Sequence, residues 1–144
     1  MSYELGVGSC KMSERMSNDE FREWLEKRTT AFSIATFKFL NKLPKDNASR
    51  VIAYQLGKSA SSIGANYREA NRAESREDFA HKLSIALKEA NESAYWFDVL
   101  SGLYEELAEL QVLTKEACEL RSLLQSIITS VKRTNKNQLT TPNS

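Results

Sequence analysis

The chain has 144 residues, 41% hydrophobic and 27% charged, the composition of one soluble globular domain and too short for two of ordinary size. Its 20 Lys+Arg nearly balance its 19 Asp+Glu, which excludes the strong basic excess of a dedicated nucleic-acid binder and the acidic excess of a solvating tail. Five Gly and two Pro are too little turn punctuation for a many-stranded protein, so the expected class is all-α.

Residues 1–17 hold no apolar run long enough for a signal peptide or a membrane span, and a cytoplasmic location with no membrane partner is the expectation. Val7-Gly8-Ser9-Cys10 has the look of a lipoprotein cleavage site but lacks the hydrophobic run that must precede one. This stretch is expected to be a disordered N-terminal extension. Cys10 and Cys118 are too few for a disulfide framework and are expected as free thiols.

Ser17-Asn18-Asp19-Glu20 has the spacing of a capping box and predicts the start of a first helix. Its stripe of Phe21, Trp24, Leu25, Arg28, Phe32, Ala35, Phe39 and Leu43 continues until Pro44 stops it. Asp46 or Asn47 can cap a second helix, which reads through Val51, Tyr54, Ile63 and Tyr67 to about Ala70. Ser75-x-x-Asp78 caps a third, carrying Phe79, Leu83, Ala86, Ala90, Phe97 and Leu100. Gly102 is the expected stop, because glycine takes a left-handed conformation without a Cβ clash. From Leu103 a fourth helix runs through Leu107, Leu110, Leu113, Ala117, Leu120, Leu124, Ile127 and Val131. A rival turn at Leu113-Thr114 would cut that seam in half. The polar residues 134–144 are expected to be a disordered tail. Four long helices on short loops bury their stripes together as an antiparallel up-down-up-down bundle, here over residues 18–133.

Three features are left over once the bundle is built. The second helix is rich in small residues, and Ala53, Gly57, Ser61 and Ala65 stand four apart on one face. That face suits tight packing inside the monomer or, alternatively, a subunit contact. Tyr95, Trp96 and Phe97 are consecutive, and at about 100° per residue all three cannot face one core, so an exposed aromatic at an interface is expected. Cations gather at Arg68, Arg72, Arg76 and Lys82 and again at Lys132, Arg133 and Lys136, whereas Glu89, Glu92, Glu105, Glu106 and Glu109 make the rest of helices three and four acidic. In such a bundle the two basic groups share a pole. They either bind phosphates or serve as solvated cations at helix ends.

Enzymatic chemistry finds no motif. A di-iron bundle needs two Glu-x-x-His units, and this chain has one histidine, in Asp78-x-x-His81. There is no Gly-rich phosphate loop, G-x-S-x-G or Cys-x-x-Cys, and Glu105 and Glu106 are read as adjacent on a helix and pointing apart. No catalytic residue, cofactor or metal is expected.

The run Gln55 to Ala70, with Ser59, Ser62, Ile63, Asn66 and Glu69 in a Ser-x-x-Ser-Ile-x-x-Asn-x-x-Glu pattern, resembles the four-helix-bundle proteins encoded in intervening sequences of bacterial 23S ribosomal RNA genes. Lys88-Glu89, Glu92-Ser93 and Tyr95-Trp96-Phe97 extend the likeness over about residues 20–133. Lys58 and Ala70 stand where the family commonly has Arg and Gly, and Phe97 where it has Leu. The resemblance implies an antiparallel bundle assembled as a homopentamer, without enzymatic activity and related to the nucleic-acid-binding accessory protein of diversity-generating retroelements. Asn66 and Glu69 are then read as structural hydrogen-bonding residues. The expected role is an accessory factor that binds RNA or DNA weakly through Arg68, Arg72, Arg76, Lys132 and Arg133. The alternative is a protein-binding scaffold that uses Tyr95 or Trp96, with Gly57 and Ser61 at subunit contacts.

Overall fold

A computed structural model describes residues 16–104 and 107–140, in which four helices and no strand occur: α1 (Asn18–Leu40), α2 (Asn47–Asn71), α3 (Arg76–Leu103) and α4 (Ala108–Thr140). The readings that involve the N-terminal extension over residues 1–15, including Cys10, and those that involve Glu105, Glu106 and residues 141–144 lie outside the described residues. Among the described residues, no helix is long and apolar enough to cross a membrane.

Each of the first three helices begins at a side chain that accepts an otherwise unpaired amide. Ser17 Oγ accepts from Glu20 N at 3.2 Å, Asp46 Oδ1 from Ser49 N at 2.8 Å, and Ser75 Oγ from Asp78 N at 3.0 Å. Asp46 is thus the cap of the two candidates, and the amide and hydroxyl of Ser49 hold its carboxyl below the usual carboxylate range. α1 ends at Leu40, before the expected Leu43. Pro44 disfavours helical geometry at the residue before it. The chain tightens instead through Lys42 N–H to Phe39 O and Leu43 N–H to Leu40 O.

The core is formed by Leu25, Phe32, Phe39, Ile52, Leu56, Ile63, Leu83, Phe97, Leu100, Leu120 and Leu124 together with smaller neighbours, and the Phe32 and Phe97 rings meet edge-on across it at 6.1 Å. α2 rotates relative to the sequence reading: Val51 and Tyr54 are 57% and 68% exposed, while Ile52, Leu56, Ser59 and Ala60 face inward. The reason is that α2 lies between α1 and α3, so its small residues meet two neighbours and turn the larger Val51 and Tyr54 outward. Gly64 sits where an added Cβ would come within 3.0 Å of Thr29 Oγ1, and Gly57 is buried beneath Phe37. The tight packing therefore lies inside the chain at both glycines.

Gly102 does not stop α3. It lies inside the helix, exposed and without a left-handed backbone angle. The helix ends one residue later, where extended Tyr104 gives its amide to Leu100 O and places its hydroxyl 2.6 Å from Ser49 Oγ on α2. α4 accordingly starts at Ala108 rather than Leu103, leaving Leu107 outside it, and Leu113-Thr114 lies within it. Its buried seam passes from Leu124 to Ile128, and Ile127 and Val131 are only half-buried. An ideal helix drifts about 20° per seven residues from a strict heptad, which favours the longer step there. α4 also continues through the expected tail to Thr140, because each residue added to an existing helix closes one more backbone bond and no proline intervenes before Pro142.

Contacts between helices pair rising numbers on one with falling numbers on the next. On α1 and α2, Glu26 meets Asn71, Thr30 meets Arg68, and Ser33 Oγ reaches Ala60 O. On α2 and α3, Ser49 meets Tyr104, Ser59 meets Ser93, and Glu69 meets Lys82. Lys42, just after α1, pairs with Glu109 on α4, and α1 and α4 join through Arg28 with Glu116. The last pair is buried, and neither its partner nor its depth was legible in the sequence.

Candidate nucleic-acid interface

At the pole where α1 and α3 start and α2 ends, α4 runs beside α1 and α3 and leaves a cup of about 1150 Å³. Its walls are the first turns of α1 and α3, with Phe21 and Phe79, and the α4 face that carries Leu123, Ile127 and Val131; Tyr67 and Ala70 form the base. Both phenylalanines follow a serine cap by four residues, so the same local geometry brings each to the rim of its helix start. Phe21 packs on Trp24 at 5.5 Å, and the Arg28 guanidinium lies over the other part of that stack, 5.2 Å from the Trp24 ring. Burial pushes the Tyr67 hydroxyl above its ordinary pKa, so it stays protonated at the cup base.

The basic residues singled out in the sequence divide. Arg68 is tied to α1, with Glu26 Oε2 at 3.6 Å and a hydrogen bond donated to Thr30 Oγ1 at 3.2 Å. Arg72, Arg76, Lys132 and Arg133 are exposed and in no ion pair among the described residues, and Arg76 lines the cup. Val131 and Thr134, which flank Lys132 and Arg133, line it as well. Lys82 is neutralised by Glu69 at 3.0 Å, and that hydrogen bond raises its pKa. Two cations that sequence reasoning did not single out, Arg22 and Lys115, also line the cup. Their helix positions were legible, but only the packing of α1 against α4 places them around one opening.

The family-pattern residues are structural in geometry. Ser59 is buried with its Oγ 3.0 Å from Ser93 Oγ, joining α2 to α3, and Ile63 is in the core. Ser62 Oγ donates to Lys58 O, and Asn66 Nδ2 donates to Ser62 O, both within α2. Glu69 crosses to Lys82. Of the residues read as interface candidates, Gly57 is buried, Ser61 Oγ donates to Gly57 O, and Trp96 is half-buried. Tyr95 is 58% exposed and its ring meets Trp96 edge-on at 5.1 Å.

Among the described residues, no group of His, Cys, Asp and Glu is arranged to hold a metal ion. His81 is exposed and Cys118 half-buried at the cup wall. The chemistry the pole offers is attraction of anions at its rim and apolar contact with the partly buried Phe21 and Phe79 rings within.

Comparison with known proteins matches the chain to a family model and to solved structures. Residues 24–126 match the family model described as 23S rRNA-intervening sequence protein. The chain is also similar to a crystal structure of a protein of unknown function from the S23 ribosomal protein family of Bacteroides thetaiotaomicron VPI-5482, at 37% identity and a TM-score of 0.64; the match covers 72% of this chain and 96% of that one. No curated protein matches the chain.

Proposed function

Because the chain belongs to the 23S rRNA-intervening sequence protein family, we propose that it is a non-enzymatic, cytoplasmic accessory factor that binds RNA or DNA weakly through its cationic pole. In this reading its helices form an antiparallel up-down-up-down bundle that closes with further copies into a ring, a homopentamer as the family resemblance implies. The observation that carries the nucleic-acid reading is a set of cations in no ion pair among the described residues, Arg72 just after α2, Arg76 on α3 and Lys132 and Arg133 on α4, at one end of a chain whose overall charge is only +1. Such a cluster has no ion-pair partner among the described residues and, being exposed, meets phosphates at little desolvation cost.

Labelled RNA and DNA followed by fluorescence anisotropy at low and moderate salt test this. The expected result is micromolar binding that collapses with salt, and a slope of log affinity on log salt that falls by about 0.7–0.9 for each phosphate contact removed. Reversal of Arg72, Arg76, Lys132 and Arg133 to Glu should abolish it. Arg68→Glu should do less, since Glu26 and Thr30 already occupy that side chain. Binding that survives the fourfold reversal would instead favour a protein scaffold that uses Tyr95.

Support for the ring comes from two separate apolar patches. Ile34, Phe37, Val51 and Tyr54 are exposed on α1 and α2, and Tyr95, Leu103 and Val112 on α3 and α4. Unlike patches on different helix pairs fit head-to-tail contacts, which close into rings when the rotation permits. Light scattering should give a solution mass several times that of the monomer, and Tyr54→Asp, at a position 68% exposed in the single chain, should reduce it toward one chain without loss of helicity. A monomeric wild type would sink the ring.

A further inference from the structure

We propose that the cup at this pole is a base-stacking subsite, so that the protein prefers single-stranded to duplex nucleic acid. The inference rests on the nucleic-acid reading above and names the form of nucleic acid that the same pole takes.

The cup and its rim differ in chemistry. At the rim stand Arg22, Arg76 and Lys115, from three helices. Arg22 is paired with Asp19 at 3.5 Å and Glu119 shares Arg28 with Glu116, so Arg76 and Lys115 are the lining cations in no ion pair among the described residues, with Glu74 the remaining acid. A chain of phosphates complements that rim. Inside, the walls are ring and aliphatic carbon, with Phe21 and Phe79 both only partly buried. The Trp24 and Arg28 stack behind Phe21 fixes its ring, so little side-chain freedom remains to be lost when a second flat group packs there.

A duplex cannot use this interior. Its bases are stacked on one another, and extruding one costs a few kcal/mol, whereas an unpaired strand presents its base faces freely. The cup also holds one unmet polar requirement. Asn71 lines it, Nδ2 donates to Glu26 Oε1 at 3.3 Å, and Oδ1 is buried without a hydrogen-bond partner. On the α4 wall, Ser122, Ser126 and Ser130 stand four apart, small enough to let a base approach and able to hydrogen-bond its edge. An apolar partner helix would also fit the carbon walls, but it would leave Arg76 and Lys115 without counter-charge, so the phosphate-bearing strand is the better complement.

The test compares a fluorescein-labelled 12-nucleotide oligocytidine strand with a 12-base-pair duplex in low salt, using the full chain and the variants Phe79→Leu and Phe21→Leu. Leucine keeps the apolar volume and removes the flat ring face, and circular dichroism confirms that each variant keeps its helices. Wild type is expected to bind the single strand about tenfold or more tightly than the duplex, in line with the affinity that one stacked base adds. Each variant should lose most of that preference while its duplex affinity and salt slope stay unchanged. Equal wild-type affinity for strand and duplex overturns the stacking subsite and leaves the cationic pole standing. A preference that persists in both variants overturns it too, because the single strand is then recognised without either ring. Absence of binding to either probe overturns the nucleic-acid reading itself, and the subsite with it.

Discussion

Arg28→Met is expected to cost about 3–5 kcal/mol of stability, read as a lower urea midpoint with an unchanged slope. The Arg28 side chain is 9% exposed and that of Glu116 is fully buried. Arg28 Nε lies 3.1 and 3.2 Å from the two Glu116 oxygens, and Nη2 reaches both Glu116 and Glu119. Burial by itself lowers the guanidinium pKa, but hydrogen bonds and charge from Glu116 and Glu119 outweigh it and hold the group above its ordinary value. Methionine would leave the Glu116 carboxylate unpaired among Leu113, Ala117 and Leu120, and that desolvation is the source of the loss. Glu116→Gln should cost less, because Arg28 keeps Glu119 and its stack on Trp24. The double variant Arg28→Met/Glu116→Leu is expected to recover most of the loss, since an apolar pair needs no counter-charge. A single variant within about 1 kcal/mol of wild type would mean that water, rather than Arg28, solvates Glu116.

Gly64→Ala should destabilise by about 1–3 kcal/mol, although the same change in an isolated helix stabilises by about 1 kcal/mol. The sign reverses because α1 crosses α2 at this point. The new Cβ would lie 3.0 Å from Thr29 Oγ1 and 3.2 Å from Thr29 Cβ. Thr29 cannot swing aside freely, since its hydroxyl is within 2.9 Å of both Leu25 O and Glu26 O. Adding Thr29→Ala removes the hydroxyl half of the clash and should return part of the loss, a coupling visible as non-additivity in a double-mutant cycle. A Gly64→Ala protein more stable than wild type would show that α1 moves away at no cost.

These two sites mark where sequence reasoning reached and where it stopped. Arg28 stands on the predicted stripe of the first helix, which already hinted at a charge facing inward. Glu116 falls beside the fourth-helix seam with nothing local to single it out, and the two are 88 positions apart. Gly64 is one of the small residues in which the second helix is rich, but nothing local marks it as the point of closest approach to Thr29. The cationic pole was legible in part. Arg72, Arg76, Lys132 and Arg133 were named from charge clustering, whereas Arg22 and Lys115 became part of the same opening only through packing. Gly102 misled for the opposite reason: glycine permits a left-handed stop without requiring one, and the chain ends α3 where Tyr104 docks on Ser49.

By itself the sequence determined four helices, three of their serine or aspartate starts and most of the core, because caps and apolar periodicity are interactions between residues within one or two turns. The tertiary structure decided which α2 face is buried, where α3 yields to α4, how far α4 runs beyond the core, and that Phe21, Phe79 and the rim cations enclose one cup. Those outcomes depend on the relative register of helices far apart in the chain, set by long-range contacts such as Arg28 with Glu116 and Gly64 with Thr29, whose energies no local window contains.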